Sequence, residues 1–312
     1  MKALLIRVFG SSVTIDFERT PEGISCQTYR LTRGNDRYYL RVAEELHEDL
    51  SVDADIQRRL HQAGAHVPDV VHVERFDEGL QRSVLIMTEI AGVSVAKITS
   101  AEVAVHVVRD AAADAAAINA IEVDGFGWLD RRRPGWPPRG QLASYGAFVE
   151  SGLPEAGIRR ERLGRLFSPD HLDRIEAIIS AEQVRPVAIA RLAHGDLDAT
   201  HIYCDGASYT GIIDFGELRG AEPEFDLGHF LLDDCDENPT PLFEHFLAGY
   251  RDAASKTLNV RLNLDDDQIR RSAILHGFRQ LCGWLQPERG LESRRSLVRP
   301  RAERLADLLD GV

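Results

Sequence analysis

The residues best suited to chemistry lie in one short stretch, residues 194–217. It begins His194-Gly-Asp196, reaches His201 five positions after the aspartate, and then Asp214 in an Asp-Phe-Gly triplet. Carboxylate oxygens and imidazole nitrogens bind divalent metals, and a carboxylate can also accept a proton from a hydroxyl group. A proton acceptor beside a metal-binding pair is the equipment that phosphoryl transfer requires.

A predicted hairpin brings these residues together. Residues 202–204 and 209–213 are rich in β-formers and flank an Asp205-Gly206 turn, a pattern typical of two antiparallel strands. Because a hairpin brings the outer ends of its two strands side by side, we expect His201 and Asp214 to be neighbours. Asp196 then lies on the loop that enters the hairpin and faces the same volume.

The stretch resembles the catalytic segment of the aminoglycoside phosphotransferase family, which carries His-Gly-Asp where protein kinases carry His-Arg-Asp. The resemblance is strongest over about residues 190–235. His201 stands where most of the family has Asn, and in this respect the chain is similar to the aminoglycoside 2″-phosphotransferases and the macrolide phosphotransferases, several of which prefer GTP. The resemblance implies an α+β, bilobal protein-kinase-like fold, with a small β-rich N-lobe and hinge at 1–92 and a larger, mainly helical C-lobe at 93–312.

The resemblance also implies roles for the residues of the catalytic segment. Asp196 would be the catalytic base, and His201 and Asp214 would hold Mg²⁺. An imidazole ligand also suits Mn²⁺. His194 would aim the loop, and Asp226 would brace it through hydrogen bonds.

Nucleotide contacts are expected upstream. Arg41 stands where kinases carry a strand Lys that reaches the phosphates of ATP or GTP, and its expected acidic partner is Asp53 on the following helix. Ser25 lies in the turn that would cover the phosphates. Glu89 and Ala91 belong to the expected hinge, where backbone groups meet the purine. An exposed strand Arg and a helix-dipole Asp remain the alternative for the first pair.

The net charge of −13 argues against nucleic acid as a partner and favours a small cationic, hydroxylated substrate. Candidate substrate contacts are the acidic residues after the catalytic segment, with two inside it and one histidine further on. They are Asp198, Glu217, Asp233, Asp234, Asp236, Glu237 and His276. A solvated acidic loop and a packed core histidine are the alternatives.

Periodicity predicts the supporting elements. Short strands are expected near 13–17, 28–31, 38–42 and 83–87, with a first strand at Ala3–Ile6 and a helix over about 50–63. Helices are expected at 101–121, 143–151, 155–182, 240–256, 265–286 and 292–310, around an irregular Pro/Gly-rich connection at 125–140. The sequence shows no membrane span or signal peptide and no metal spacing among its four cysteines. A cytoplasmic monomer or weak dimer is expected.

The sequence thus predicts a transferase that moves the γ-phosphate of ATP or GTP to a hydroxyl of an aminoglycoside or macrolide-type antibiotic. A kinase of a sugar, choline or amino alcohol remains open, because one fold serves many substrates. A non-catalytic nucleotide-binding relative and a metallohydrolase using the two histidines and two aspartates also remain. The sequence leaves open which hydroxyl reacts, which purine is preferred and whether resistance is the biological role.

Overall fold

The N-terminal part of the chain is a β-sheet with two helices. The computed structural model describes residues 1–11, 15–20, 27–234, 236, 238–257, 264–286 and 295–311. The sheet has five antiparallel strands in the order β1-β2-β3-β5-β4. They are β1 (Asp16–Arg19), β2 (Gln27–Arg33), β3 (Asp36–Val42), β4 (Val70–Asp77) and β5 (Arg82–Thr88), with helices α1 (Lys2–Phe9) and α2 (Ser51–Gln62).

The expected first strand at Ala3–Ile6 is wrong, because these residues lie in helix α1. Leu4 and Leu5 are buried in one cluster with sheet residues, and Val8 packs against the same cluster. This spacing is that of a helix face. Arg7 of the same helix also bonds to Asp77 of the sheet at 2.6 Å. A short apolar run fits a strand and a helix equally well, and here packing on the sheet selects the helix.

A short connection links the sheet to the rest of the chain. Residues 89–92 lead from β5 into β6 (Val93–Ser94) and the 3₁₀ turn η1 (Val95–Lys97). At Gly92, where φ is +112°, an added Cβ would lie 2.0 Å from the carbonyl oxygen of Cys204. The connection therefore presses directly on the strand that contains Cys204, and only glycine fits there.

The C-terminal part is mainly helical. Its helices are α3 (Ala101–Asn119), α4 (Tyr145–Glu150), α5 (Ala156–Leu163), α6 (Pro169–Gln183), α7 (Glu224–Asp233), α8 (Phe243–Thr257), α9 (Asp266–Trp284) and α10 (Arg295–Asp310). One helix was expected over 155–182, but the structure has two. Pro169 starts the second after Ser168, whose hydroxyl accepts the backbone N–H of His171 at 3.2 Å.

Two small sheets lie among these helices. One has the order β7-β10-β13-β8-β9, and the other has the order β12-β11-β6. Their strands are β7 (Glu122–Val123), β8 (Phe126–Leu129), β9 (Gly140–Leu142), β10 (Ala190–Ala193), β11 (Ile202–Cys204), β12 (Tyr209–Ile212) and β13 (Arg219–Ala221). The connection expected to be irregular at 125–140 therefore contributes β8 and the start of β9.

The largest hydrophobic core fills the helical part, where α3 packs on α8 and α7 packs on α9. Phe230, Phe246 and Tyr250 are among its fully buried side chains. The α+β class, with a β-rich N-terminal part and a mainly helical C-terminal part, is as predicted, while the division at residue 92 stays a prediction. Among the described helices, none is sufficiently long and apolar to cross a lipid bilayer.

Candidate active site

The hairpin of β11 and β12 forms as expected, and it brings His201 close to Asp214. Ile202 pairs with Ile212, and the backbone N–H of Ile213 donates to the carbonyl of His201 at 3.0 Å. His201 Nε2 consequently lies 3.9 Å from Asp214 Oδ2 and 3.8 Å from Asp196 Oδ2. Residues predicted to meet from separate positions in the sequence face one point in the structure.

Asp214 has an unusual backbone. Its φ is +65°, in the left-handed region, and its carboxylate accepts the backbone N–H of Gly216 at 3.3 Å. A non-glycine residue rarely adopts this conformation, although Asp tolerates it better than most. The 3₁₀ turn η2 (Phe215–Glu217) follows at once and turns the chain away. The Asp214 side chain remains 58% exposed, so it is available to a ligand.

His201 is surrounded by carboxylates. Burial lowers its pKa, but Asp198, Asp196 and Asp214 outweigh that effect and raise it to about 9. Asp198 Oδ1 lies 3.4 Å from His201 Nδ1 and also accepts the Thr200 backbone N–H at 2.6 Å. The carboxylates around His201 therefore favour a positive charge at this point, carried either by the proton of the imidazolium or by a bound cation that displaces that proton.

Within the described residues, no group of three or more His, Cys, Asp and Glu side chains is arranged to hold a metal ion. His201 Nε2 and the exposed Asp214 carboxylate face the same point, and the surrounding acids favour a cation there. Mg²⁺ at kinase sites commonly takes one or two protein ligands and completes its shell with phosphate oxygens and water. The donors present fit a metal held in that way.

A buried network braces the loop before Asp196. Asp226 Oδ2 accepts the backbone N–H of His194, and Oδ1 accepts that of Gly195, each at 2.9 Å. Asn119 also donates to Asp226 at 2.9 Å, and Tyr250 donates to Asn119 at 2.8 Å. This is the bracing expected of Asp226. Asn119 and Tyr250 were not foreseen, because only the three-dimensional packing of α3 and α8 brings them here.

His194 and Gly195 are structural parts of this loop. His194 Nε2 bonds to the carbonyl of Ile213 at 2.9 Å, and burial lowers the pKa of His194, so the ring is neutral and donates. Gly195 has a φ of +90°, and an added Cβ would lie 2.0 Å from the carbonyl oxygen of Glu217. The loop and the segment after Asp214 are therefore locked together.

The Arg41–Asp53 pair forms, but a third residue shares it. Arg41 Nη1 lies 3.4 Å from Asp53 Oδ1 and 3.5 Å from the carbonyl of Phe215. Arg131 binds both oxygens of Asp53, at 2.8 and 2.9 Å, and donates to the carbonyl of Gly216 at 3.2 Å. Asp53 is fully buried; burial would raise its pKa, but the two arginines hold it below the usual value. Both arginines therefore tie α2 to the Asp-Phe-Gly segment.

The other residues expected to contact the nucleotide are Ser25, Glu89 and Ala91. Ser25 lies outside the described residues. The Glu89 carboxylate is bound by Arg30 at 2.8 Å, and its backbone N–H donates to the carbonyl of Arg37 at 3.1 Å. The carbonyl of Ala91 accepts the Thr210 hydroxyl at 2.7 Å. These contacts hold the expected hinge against the sheet and the hairpin.

The acidic residues expected at the substrate are engaged with the protein itself. Asp233 is bound by His229 Nε2 at 2.9 Å and by Arg301, and Asp236 lies 3.4 Å from Arg301. Asp234 accepts the backbone N–H of Leu242 at 2.9 Å. Glu237 lies outside the described residues. Substrate contact by this group stays a prediction.

Two further expected substrate residues, Glu217 and His276, also contact other side chains of the protein. Glu217 bonds to Arg219 at 2.9 Å, and burial raises the pKa of Glu217. His276 packs its ring 4.4 Å from that of His229, and burial holds the pKa of His276 well below its usual value. His229 itself was not foreseen as part of the site, yet its Nε2 lies 3.6 Å from Asp196 Oδ1.

Comparison with known proteins agrees with this geometry. The model of the phosphotransferase enzyme family matches residues 16–259. No curated protein sequence matches the chain. Among solved structures, a thermostable mutant of the aminoglycoside phosphotransferase APH(4)-Ia, in a ternary complex with AMP-PNP and hygromycin B, is 16% identical with a TM-score of 0.66, and the match covers 99% of this chain and 98% of that one.

Two other solved structures are similar over most of their length. The GDP complex of aminoglycoside 2'-phosphotransferase-IIIa is 15% identical with a TM-score of 0.57, over 99% of this chain and 97% of that one. Aminoglycoside-3'-phosphotransferase of type VIII is 21% identical with a TM-score of 0.55, over 89% and 98%. At such identities these likenesses establish the fold. Together with the family match, they show that the chain belongs to the phosphotransferase enzyme family and is a phosphotransferase of kinase-like fold.

Proposed function

We propose that the chain transfers the γ-phosphate of ATP or GTP to a hydroxyl of a small, cationic molecule of the aminoglycoside or macrolide type. The observation that carries the proposal is the convergence of three side chains. His201 Nε2 faces Asp214 at 3.9 Å and Asp196 at 3.8 Å, so a proton acceptor lies beside the residues suited to hold a metal and its phosphates. This is the arrangement that phosphoryl transfer needs.

In the proposed reaction Asp196 takes the proton of the substrate hydroxyl while the oxygen of that hydroxyl attacks the γ-phosphorus. The bond between that phosphorus and the bridging oxygen breaks, and the nucleoside diphosphate leaves with the electron pair. Asp196 is 42% exposed, and it therefore remains accessible to a substrate. The new phosphate ester and the nucleoside diphosphate are the products, and the proton passes from Asp196 to solvent.

His201 and Asp214 would hold Mg²⁺ or Mn²⁺, which when bound neutralises phosphate charge and aligns the donor. Arg41 supplies a further positive charge beside the Asp-Phe-Gly segment, where it contacts the carbonyl of Phe215 at 3.5 Å. Catalysis then rests on positioning and charge, because little covalent chemistry falls to the protein. A nucleotide donor suits a cytoplasmic protein, and we expect a monomer or weak dimer.

A metabolite kinase is the second candidate, and one observation favours it. Arg301 and His229 bind Asp233 at the end of α7, Arg301 also lies 3.4 Å from Asp236, and Arg219 binds Glu217. Carboxylates that are already paired attract a polycationic antibiotic less strongly. A sugar, choline or amino alcohol with fewer ammonium groups requires fewer free acids.

The test is a coupled turnover assay with ATP and GTP in parallel, with Mg²⁺, on panels of aminoglycosides, macrolides and hydroxylated metabolites. Substrate-stimulated nucleoside diphosphate release, lost in Asp196→Asn, is the expected result. Removing a base of this kind lowers turnover by roughly 100- to 10,000-fold. Full activity in folded Asp196→Asn would refute the mechanism. Stimulation only by metabolites would select the second candidate.

A further inference from the structure

His229 lies beside two carboxylates, that of Asp196, the expected catalytic base, and that of Asp233, which is called its anchor below. It lies in α7, three residues after Asp226, and its side chain is 2% exposed. Its Nε2 is 2.9 Å from Asp233 Oδ2 and 3.6 Å from Asp196 Oδ1. Among the described residues its Nδ1 has no hydrogen-bond partner. The ring is therefore held through Nε2, the atom that faces both carboxylates.

The anchor is itself fixed from the C-terminal helix. Arg301 of α10 binds the Asp233 carboxylate and donates to the carbonyl of Leu232 at 3.2 Å. Arg301 is 10% exposed and Asp233 is 12% exposed, so solvent screens this pair only weakly. A continuous line of contacts thus runs from α10 through Asp233 and His229 to Asp196.

Two imidazoles lie beside different oxygens of Asp196, at distances of an ion pair and not of a hydrogen bond. His229 faces Oδ1, and His201 faces Oδ2 at 3.8 Å. If His201 takes a metal ion as proposed above, its Nε2 becomes committed to that ion. His229 then remains to orient the carboxylate, while Oδ2 stays on the side of Asp214 where the γ-phosphate must lie.

We propose that His229 is the positioning residue for Asp196: anchored by Asp233, it fixes Oδ1 and so aims Oδ2 at the substrate hydroxyl. The proposal rests on the proposed function, in which Asp196 is the base. A carboxylate with free rotation would spend part of its time turned away from the hydroxyl, and small misplacements of a catalytic group are costly. Asp233 accordingly serves as the anchor of this histidine and does not contact the substrate.

The charges around His229 support a cationic ring. Burial lowers its pKa, but Asp233 on its own helix, with Asp196 and Asp198 on the catalytic loop, outweighs burial and raises the pKa. On the other sides lie His276 of α9, whose ring is 4.4 Å away, and Arg301 of α10, which faces Asp233. His276 bonds through Nε2 to Gln280 at 3.1 Å and has a lowered pKa, so it stays neutral beside the cation.

Two variants separate positioning from packing. Glutamine can place its amide nitrogen where His229 Nε2 lies, whereas the amide of asparagine reaches only the Nδ1 position. We expect His229→Asn to lower kcat by about 10- to 100-fold with a change below about threefold in the KM of either substrate. We expect the kcat of wild type to decline at alkaline pH as the ring deprotonates, and His229→Gln should retain most of kcat without this decline. Exposed His106 of α3 supplies the control, His106→Gln.

An NMR titration, which requires no turnover, tests the contact between His229 and Asp196. Nitrogen-15 imidazole shifts of His229 are followed against pH in wild type, Asp196→Asn and the control Asp55→Asn, whose carboxylate is 61% exposed on α2. The titration should move to lower pH in Asp196→Asn and stay in place in Asp55→Asn. An unmoved titration in Asp196→Asn, or equal kcat in His229→Asn and wild type, overturns the proposal. Absence of turnover on every substrate would instead refute the proposed function, and the titration would still decide the contact.

Discussion

Arg131 and Asp53, 78 positions apart in the sequence, form a two-pronged ion pair in which Nε lies 2.8 Å from Oδ2 and Nη2 lies 2.9 Å from Oδ1. Arg131 belongs to the turn after β8, and Asp53 to the first turn of α2. Since Arg131 also binds the carbonyl of Gly216, one guanidinium connects the sheet-side helix to the segment that follows Asp214.

Arg131→Gln should therefore destabilise the protein. The change leaves the fully buried Asp53 carboxylate with a weaker set of partners, and breaking a buried pair typically costs about 3–5 kcal/mol. Chemical denaturation of the variant measures this loss in the free energy of unfolding. Arg133→Gln, which removes an exposed arginine paired with Asp130, is the matched control and should cost less than about 0.5 kcal/mol. Equal stability of the two variants would contradict the buried role of Arg131.

Asp214→Ala should weaken nucleotide binding only when Mg²⁺ is present. In the proposed site the exposed Asp214 carboxylate would be the oxygen ligand, and without it the metal would lose one of its two protein donors. We expect at least about a tenfold loss in Mg²⁺-dependent affinity, which corresponds to about 1.4 kcal/mol. Isothermal titration with and without Mg²⁺ measures it. Identical metal dependence in wild type and variant would remove Asp214 from the metal site.

His201→Asn should change the metal preference. Imidazole nitrogen suits Mn²⁺ better than Mg²⁺, which prefers oxygen, and the asparagine amide supplies an oxygen. Activation by the two metals is measured in parallel, as the concentration of each that gives half-maximal turnover. Wild type should respond more readily to Mn²⁺, and the variant should shift toward Mg²⁺. A ratio that stays the same in both proteins would argue that His201 is not a ligand.

Glu222 predicts a pH dependence of stability. Burial and the nearby Glu224 raise its pKa from 4.5 to about 7 in the folded protein, and its Oε2 has no hydrogen-bond partner among the described residues. Because the folded pKa exceeds the unfolded one, the stabilisation is complete below pH 4.5 and is lost as the pH rises through 7. The loss is about 3 kcal/mol at most.

Glu222→Gln keeps this side chain uncharged at every pH. Its free energy of unfolding should consequently fall less between pH 5 and 8 than that of wild type, as measured by urea denaturation at intervals of about half a pH unit. Glu150→Gln, on the exposed side of α4, serves as the control. Parallel stability curves for wild type and Glu222→Gln would show that Glu222 is already ionised when folded.

Local patterns were sufficient for the part of the site built from one continuous segment. The hairpin of β11 and β12 follows from β-formers around an Asp-Gly turn, and its geometry alone makes His201 and Asp214 neighbours. The α2 helix also follows from the apolar periodicity over about residues 50–63. In these places the information lies within about twenty residues of chain.

Residues that act through long-range packing could not be found in this way. Arg131 appears in the sequence as one of three consecutive arginines, and only the fold shows that it binds Asp53 while Arg132 binds Glu45. Likewise no sequence pattern marks His229, because only the fold brings its Nε2 to within 3.6 Å of Asp196. The α1 helix was mistaken for a strand because four apolar residues carry no period of their own.

The close contact at Gly92 has an evolutionary consequence. Glycine at this position lets the inter-sheet connection touch the carbonyl of Cys204, and so it sets the distance between the expected purine site and the hairpin that carries His201 and Asp214. Gly157 in α5, by contrast, has open space around it. We expect related sequences to vary freely at position 157 and to keep glycine at position 92. The residue at 92 would then keep the separation between the nucleotide and the metal constant while the rest of the chain diverges.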